Sequence, residues 1–120
     1  MHNEDLKVRT KRFALRIIKL IESLPKDETS RVLGRQLLRA GTSVGANYRA
    51  ACRSKSRADF ISKMGTVEEE ADESGYWMEL LVESEKASSA KLSALMKEAD
   101  ELTAIAIASI NTARKSEPRR

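Results

Sequence analysis

The 120-residue sequence predicts an all-α fold, an antiparallel up-down-up-down four-helix bundle, on three observations. Only five Gly and two Pro interrupt the chain, and neither proline falls inside an apolar-periodic stretch. Apolar residues recur at three- and four-residue steps in four stretches, the period of a helix with one buried face. Turn and N-cap residues gather at three places between those stretches.

The first helix is expected near residues 4–24. Leu6, Phe13, Ile17, Leu20, Ile21 and Leu24 share one face, and Lys7, Arg9, Lys11, Arg12, Arg16 and Lys19 cover much of the rest. Leu24-Pro25-Lys26-Asp27 is a turn with Asp27 as N-cap, opening a second helix near 28–54. Its seam runs through Leu33, Leu37, Ala40, Val44, Tyr48 and Ala51. Gly41 and Gly45 lie beside it, each costing about 1 kcal/mol against alanine, a cost that points to close approach of a neighbouring helix. Ser56 caps a third helix near 57–86, with Asp59 three residues on, burying Phe60, Met64, Val67, Ala71, Met78 and Val82. A serine in Ala87-Ser88-Ser89 caps a fourth near 89–114. It buries Leu92, Leu95, Met96, Ala99, Leu102, Ala106, Ile110 and Ala113, and a basic tail follows at 115–120.

A composition of 41% hydrophobic and 33% charged residues fits one domain, 1–120, and excludes a large multidomain enzyme. Cys52 is the single cysteine and has no internal disulfide partner. No apolar run reaches the roughly 20 residues of a membrane span or forms a secretory core, so a cytoplasmic location is expected. Apolar residues exceed one stripe per helix at Val8, Leu15, Ile18, Trp77, Leu80, Ile105 and Ile107. That extra width predicts burial between subunits.

Charge is segregated. Residues 1–60 hold 14 Lys and Arg against 6 Asp and Glu, and residues 61–120 hold 8 against 12, so +8 and −4 give the net +4. Arg31, Arg35, Arg39, Arg49, Arg53 and Arg57 are spaced by four, four, ten, four and four. On one continuous helix they would occupy a sector of about 80° over about 39 Å, a row able to track a phosphate backbone. The alternative is ion pairing with Glu68, Asp72, Glu79 and Glu83, which share a sector of about 60° on the next helix. Few aromatics accompany the row, which argues against base stacking.

No catalytic constellation is present. The acidic run Glu68-Glu69-Glu70-Ala71-Asp72-Glu73 lacks the histidines of a di-metal bundle, since the only histidine is His2; no metal or cofactor is expected. Glu70 and Glu73 lie nearest the apolar sector and are expected to pair with a buried Arg39. Asn47, close to the seam, is expected to cap or cross-link neighbouring helices, and Tyr76 and Trp77 to anchor core or interface. Cys52, without a positioned base, reads as a packing residue.

Two stretches carry a family resemblance. Gln36-Leu-Leu-Arg-Ala-Gly-Thr-Ser-Val-Gly-Ala-Asn-Tyr-Arg-Ala-Ala51 is one. Ala58-Asp-Phe-Ile-Ser-Lys-Met64, running into Glu69-Glu-Ala-Asp-Glu-Ser-Gly-Tyr-Trp-Met-Glu-Leu-Leu81, is the other. Together they resemble the bacterial four-helix-bundle family first noted in intervening sequences of large-subunit ribosomal RNA genes, over nearly the whole chain. The resemblance implies up-down bundles assembled as homopentameric barrels. It also implies kinship with the accessory variability proteins of diversity-generating retroelements, which bind RNA and a reverse transcriptase. The family's polar signature falls on Gln36, Arg39, Ser43, Asn47, Glu70, Glu73 and Tyr76. Many members carry a glutamate shortly after the Asn, where this chain has Ala50 and Ala51, making the stretch more basic.

The expectation is a non-enzymatic oligomer that presents basic rows to structured RNA or DNA. The competing expectation is a protein-binding scaffold whose arginines are neutralised by carboxylates.

Overall fold

Side-chain caps set where three helices begin. Asp27 Oδ1 accepts from the Ser30 N–H at 2.8 Å, Ser56 Oγ from Asp59 at 3.0 Å and Ser88 Oγ from Lys91 at 3.1 Å. Each satisfies an N–H that a helix start leaves open. In the computed structural model, which describes residues 3–116 with side chains from Asp5 onward, these caps open α2 (Glu28–Cys52), α3 (Arg57–Glu83) and α4 (Ser89–Lys115). α1 spans Asn3–Glu22, and no strand occurs among the described residues. His2 and the tail residues Pro118, Arg119 and Arg120 lie outside the described residues.

Three helix ends fall short of the sequence expectation for identifiable reasons. α1 stops at Glu22 rather than 24, because the Ser23 and Leu24 N–H groups turn back to the Leu20 and Ile21 carbonyls at 3.0 and 3.2 Å. α2 stops at Cys52 rather than 54, because the Arg53 and Ser54 N–H groups turn back to the Ala50 and Ala51 carbonyls, each at 3.1 Å. α3 stops at Glu83 rather than 86. Glu85 adopts φ 63°, its N–H bonds Val82 O at 3.0 Å, and the Lys86 N–H reaches Leu81 O at 2.9 Å. That is a Schellman ending with glutamate in the left-handed position usually given to glycine.

The helices pack in chain order into a bundle 57 Å long and 22 × 20 Å across. α2 contacts α1 and α3, α3 contacts α4, and α1 touches α4 only thinly. Phe13, Ile17, Leu37, Val44, Met64, Met78, Leu81 and Leu92 are fully enclosed. Leu33, Phe60, Val82, Met96 and Ala113, expected in the core, sit half-buried at its margin. Three polar side chains complete the stripes instead: Thr10, Ser30 and Ser74 are buried. The Thr10 hydroxyl donates to Leu6 O at 2.9 Å and the Ser74 hydroxyl to Glu70 O at 2.8 Å, so each is satisfied within its own helix.

The close approach expected at Gly41 and Gly45 brings α1 against α2. A Cβ at Gly41 would collide with Ile17 Cδ1, and one at Gly45 would lie 3.1 Å from Thr10 Oγ1. The thin α1–α4 seam is latched by polar groups. Arg9 grips Glu98 with two bonds of 2.7 and 2.8 Å and reaches Glu101 at 2.6 Å, while Lys91 Nζ donates to Ser23 Oγ at 2.7 Å nearer the other end. The hydrogen bonds from Arg9 hold the Glu98 carboxyl below the usual glutamate range, and those same bonds, led by Glu98, raise the Arg9 guanidinium further.

Candidate nucleic-acid interface

The six arginines do not form one continuous row. Because α2 ends at Cys52, Arg53 is its C-cap and Arg57 is the first residue of α3, where its guanidinium donates to Ser116 O at 2.9 Å. Arg31 pairs with Glu28 on its own helix. Arg39 is drawn to α3, pairing with Glu70 at 3.3 Å and with Glu73, and its Nε also donates to Gln36 Oε1 at 3.2 Å. Its pairing follows the sequence expectation, but its burial does not: the Arg39 side chain is 46% exposed, because its long stem carries the charge past the seam to the surface.

The network around Arg39 gathers most of the polar signature. Trp77 Nε1 donates to Glu73 at 2.9 Å, and the Tyr76 ring meets Trp77 edge-on with centroids 5.1 Å apart. Tyr76 is exposed rather than a core anchor, and Trp77 is half-buried. Asn47 stays apart and does not cross-link helices, since its amide donates to Ser43 O on its own helix at 2.9 Å. Glu68, Asp72, Glu79 and Glu83, the alternative partners that the sequence offers for the arginines, make no ion pair among the described residues. The α2-facing side of α3 is instead the one that carries Glu70 and Glu73.

Arg35, Arg49 and Arg53 are therefore exposed and without a carboxylate partner among the described residues. α1 adds to them. Lys7 and Lys11 stand across a groove of about 510 Å³ from Arg49, with Thr42 on its wall and Gly45 and Thr10 among its lining. Neither lysine was a sequence candidate. The pairing depends on α1 lying antiparallel against the α2 glycines, which helix periodicity alone does not reveal. The α1 basic face was the available signal.

What this surface can do is limited by its chemistry. Among the described residues no three or more His, Cys, Asp or Glu side chains gather to hold a metal, and no helix is long and apolar enough to cross a membrane. Cys52 packs half-buried against the core. Burial, reinforced by Cys52, pushes the Tyr48 hydroxyl above its ordinary pKa, leaving it protonated. What remains is a set of fixed positive charges, with Lys7 and Lys11 four residues apart on α1 and Arg49 and Arg53 four apart at the end of α2, suited to repeated anionic groups and without an aromatic side chain in the groove between them.

Comparisons with known proteins place the chain. The model of a family described as 23S rRNA-intervening sequence protein matches residues 4–108. A crystal structure of a protein with unknown function from the S23 ribosomal protein family of Bacteroides thetaiotaomicron is similar at 35% identity and TM-score 0.85. The similarity covers 92% of this chain and 99% of that one. No curated protein matches the chain.

Proposed function

The chain belongs to the 23S rRNA-intervening sequence protein family, and from that premise we propose that it is a non-enzymatic, oligomeric binder of the nucleic-acid backbone. The carrying observation is a set of cations that make no ion pair among the described residues: Arg35, Arg49 and Arg53 from α2, with Lys7 and Lys11 of α1 across a groove from Arg49. Glu68, Asp72, Glu79 and Glu83 of α3 pair with none of them among the described residues. Point charges on long stems neutralise phosphates without reading bases, so the partner is structured RNA or DNA recognised through its backbone. Assembly into a ring, five copies in the resembling family, would repeat the patch and multiply a weak contact through effective concentration. The same chemistry needs no metal, cofactor or catalytic residue, and it suits a protein working in the cytoplasm.

A second reading draws on Arg31, Arg39 and Arg57, which are already engaged within the chain. If the remaining arginines are engaged in the same way between subunits, the assembly is a scaffold that grips a protein partner. A salt titration against structured RNA and duplex DNA, with mass by light scattering on the same samples, tests the proposal. A multimer whose log affinity falls against log salt with a slope of about −4 or steeper supports backbone binding. A multimer with no binding even at low salt points to the scaffold. Arg35→Glu with Arg53→Glu should abolish retention while the mass stays; if the mass is lost, those arginines are structural.

A further inference from the structure

α1 carries more charge and more apolar surface than the bundle uses. From Leu6 to Ile21 the chain holds six Lys and Arg and no Asp or Glu; carboxylates stand only beyond the ends, at Asp5 and Glu22. Arg9 is taken by Glu98 and Glu101. Lys7, Lys11, Arg12, Arg16 and Lys19 make no ion pair among the described residues.

Three large apolar residues of the same helix face outward, Leu15 at 57% exposure, Val8 at 48% and Ile18 at 37%. On a 100° wheel they fall within about 80°, on the side opposite Phe13, Ile17 and Leu20, which enter the core. Lys11 lies inside that sector, Lys7 at one edge of it, and Lys19, Arg12 and Arg16 follow at the other. The outer side of α1 is therefore a convex apolar ridge with cations within it and along both flanks.

We propose that this face of α1 rests on an anionic membrane surface, with the helix axis in the plane of the bilayer. The ridge enters the boundary between headgroups and acyl chains, and the long stems of Lys and Arg carry their charges to the lipid phosphates on either side. Charge complementarity and spacing both favour lipid over a partner helix. A helix seam needs apolar residues at three- and four-residue steps, and the step between Val8 and Leu15 falls on Lys11 and Arg12, which a protein seam would bury. A bilayer leaves both at headgroup level. The helix lies on the surface without crossing it, since no helix among the described residues is long and apolar enough to span a membrane. Lys7 and Lys11 also line the groove with Arg49, but the ridge with Arg12, Arg16 and Lys19 is separate from it, so the inference does not rest on nucleic-acid binding.

The test is co-sedimentation with vesicles at physiological salt, with mass by light scattering and helicity by circular dichroism on the same samples. Wild type should bind vesicles of mixed phosphatidylglycerol and phosphatidylcholine, and not vesicles of phosphatidylcholine alone. Val8→Gln with Leu15→Gln keeps every charge and should weaken that binding about tenfold or more, with mass and helicity unchanged. Arg12→Gln, Arg16→Gln, Lys19→Gln should weaken it about tenfold or more as well. A wild type that ignores the anionic vesicles overturns the proposal, as does a ridge variant that binds them as wild type does. A ridge variant of reduced mass also overturns it, because Val8 and Leu15 would then be a contact between protein chains. Any of these failures leaves the nucleic-acid reading standing, since Lys7, Lys11 and Arg49 are intact in both variants.

Discussion

Glycines in α2 and α3 are alike in sequence and opposite in circumstance. Gly34, Gly41 and Gly45 are buried under α1 and the turn that follows it, their missing side chains occupied by Leu24, Ile17 and Thr10. Gly65 and Gly75 face open space. The first set explains how α1 reaches α2, and hence how Lys7 and Lys11 come to stand across from Arg49. The second set has nothing packed into its vacancy. The difference teaches that a helix glycine must be judged by what fills its vacancy.

The contrast can be broken most sharply at Gly41. Gly41→Leu should destabilise the fold by about 3 kcal/mol, because the new side chain must displace the enclosed Ile17. Urea unfolding monitored at 222 nm checks it; an unchanged midpoint would mean that α1 does not lie where described. Gly65→Ala and Gly75→Ala should move stability the other way within the single chain. Each should add up to about 1 kcal/mol, since alanine is the better helix former and nothing stands in its path.

Glu85→Gly sharpens the same lesson at a position where glycine is absent but wanted. With φ at 63°, glycine should relieve about 1 kcal/mol, seen as a rise in melting temperature of a few degrees. The smallest effect concerns the latch between α1 and α4 together with the α2 cap at Asp27. Glu98, held by Arg9, and Asp27, held by the Ser30 N–H and then Lys86, have folded-state pKa values below their unfolded ones. Their stabilisation is therefore present above the ordinary carboxylate range and is lost as pH falls through the lowered values. The melting temperature should drop on acidification below about pH 4, and Arg9→Met should flatten the part of that drop due to Glu98. A melting temperature independent of pH between about 5 and 2 would contradict the latch.

Much of the fold was legible because four apolar stripes and three side-chain caps are local signals. Asp27, Ser56 and Ser88 act where the spacing places them, and the seam of α2 runs through Leu37, Ala40, Val44, Tyr48 and Ala51 as its steps require. The three-four stepping also runs through Thr10 and Ser74, which their polarity removes from an apolar stripe. A hydroxyl that bonds the carbonyl four residues back is hidden from a pattern based on side-chain polarity. The candidate site was less legible. Helical spacing aligned Arg53 and Arg57 with Arg49, but the turn at Ser54-Lys55-Ser56 breaks the wheel and sends Arg57 to the end of α4. The coming together of Lys7, Lys11 and Arg49 depends on which helices are neighbours, a property of the packed bundle rather than of any one segment.

The most direct test of the basic face is a single pair of readings on Lys7→Glu, Lys11→Glu, Arg49→Glu. Light scattering gives its mass, and a binding isotherm with structured RNA at physiological salt gives its affinity. If the face serves phosphates, the mass matches wild type and RNA retention is lost, with wild type binding under the same conditions. If the variant falls apart while the chains stay folded, or keeps wild-type affinity, the groove between α1 and α2 is not the nucleic-acid surface and the account fails at its centre.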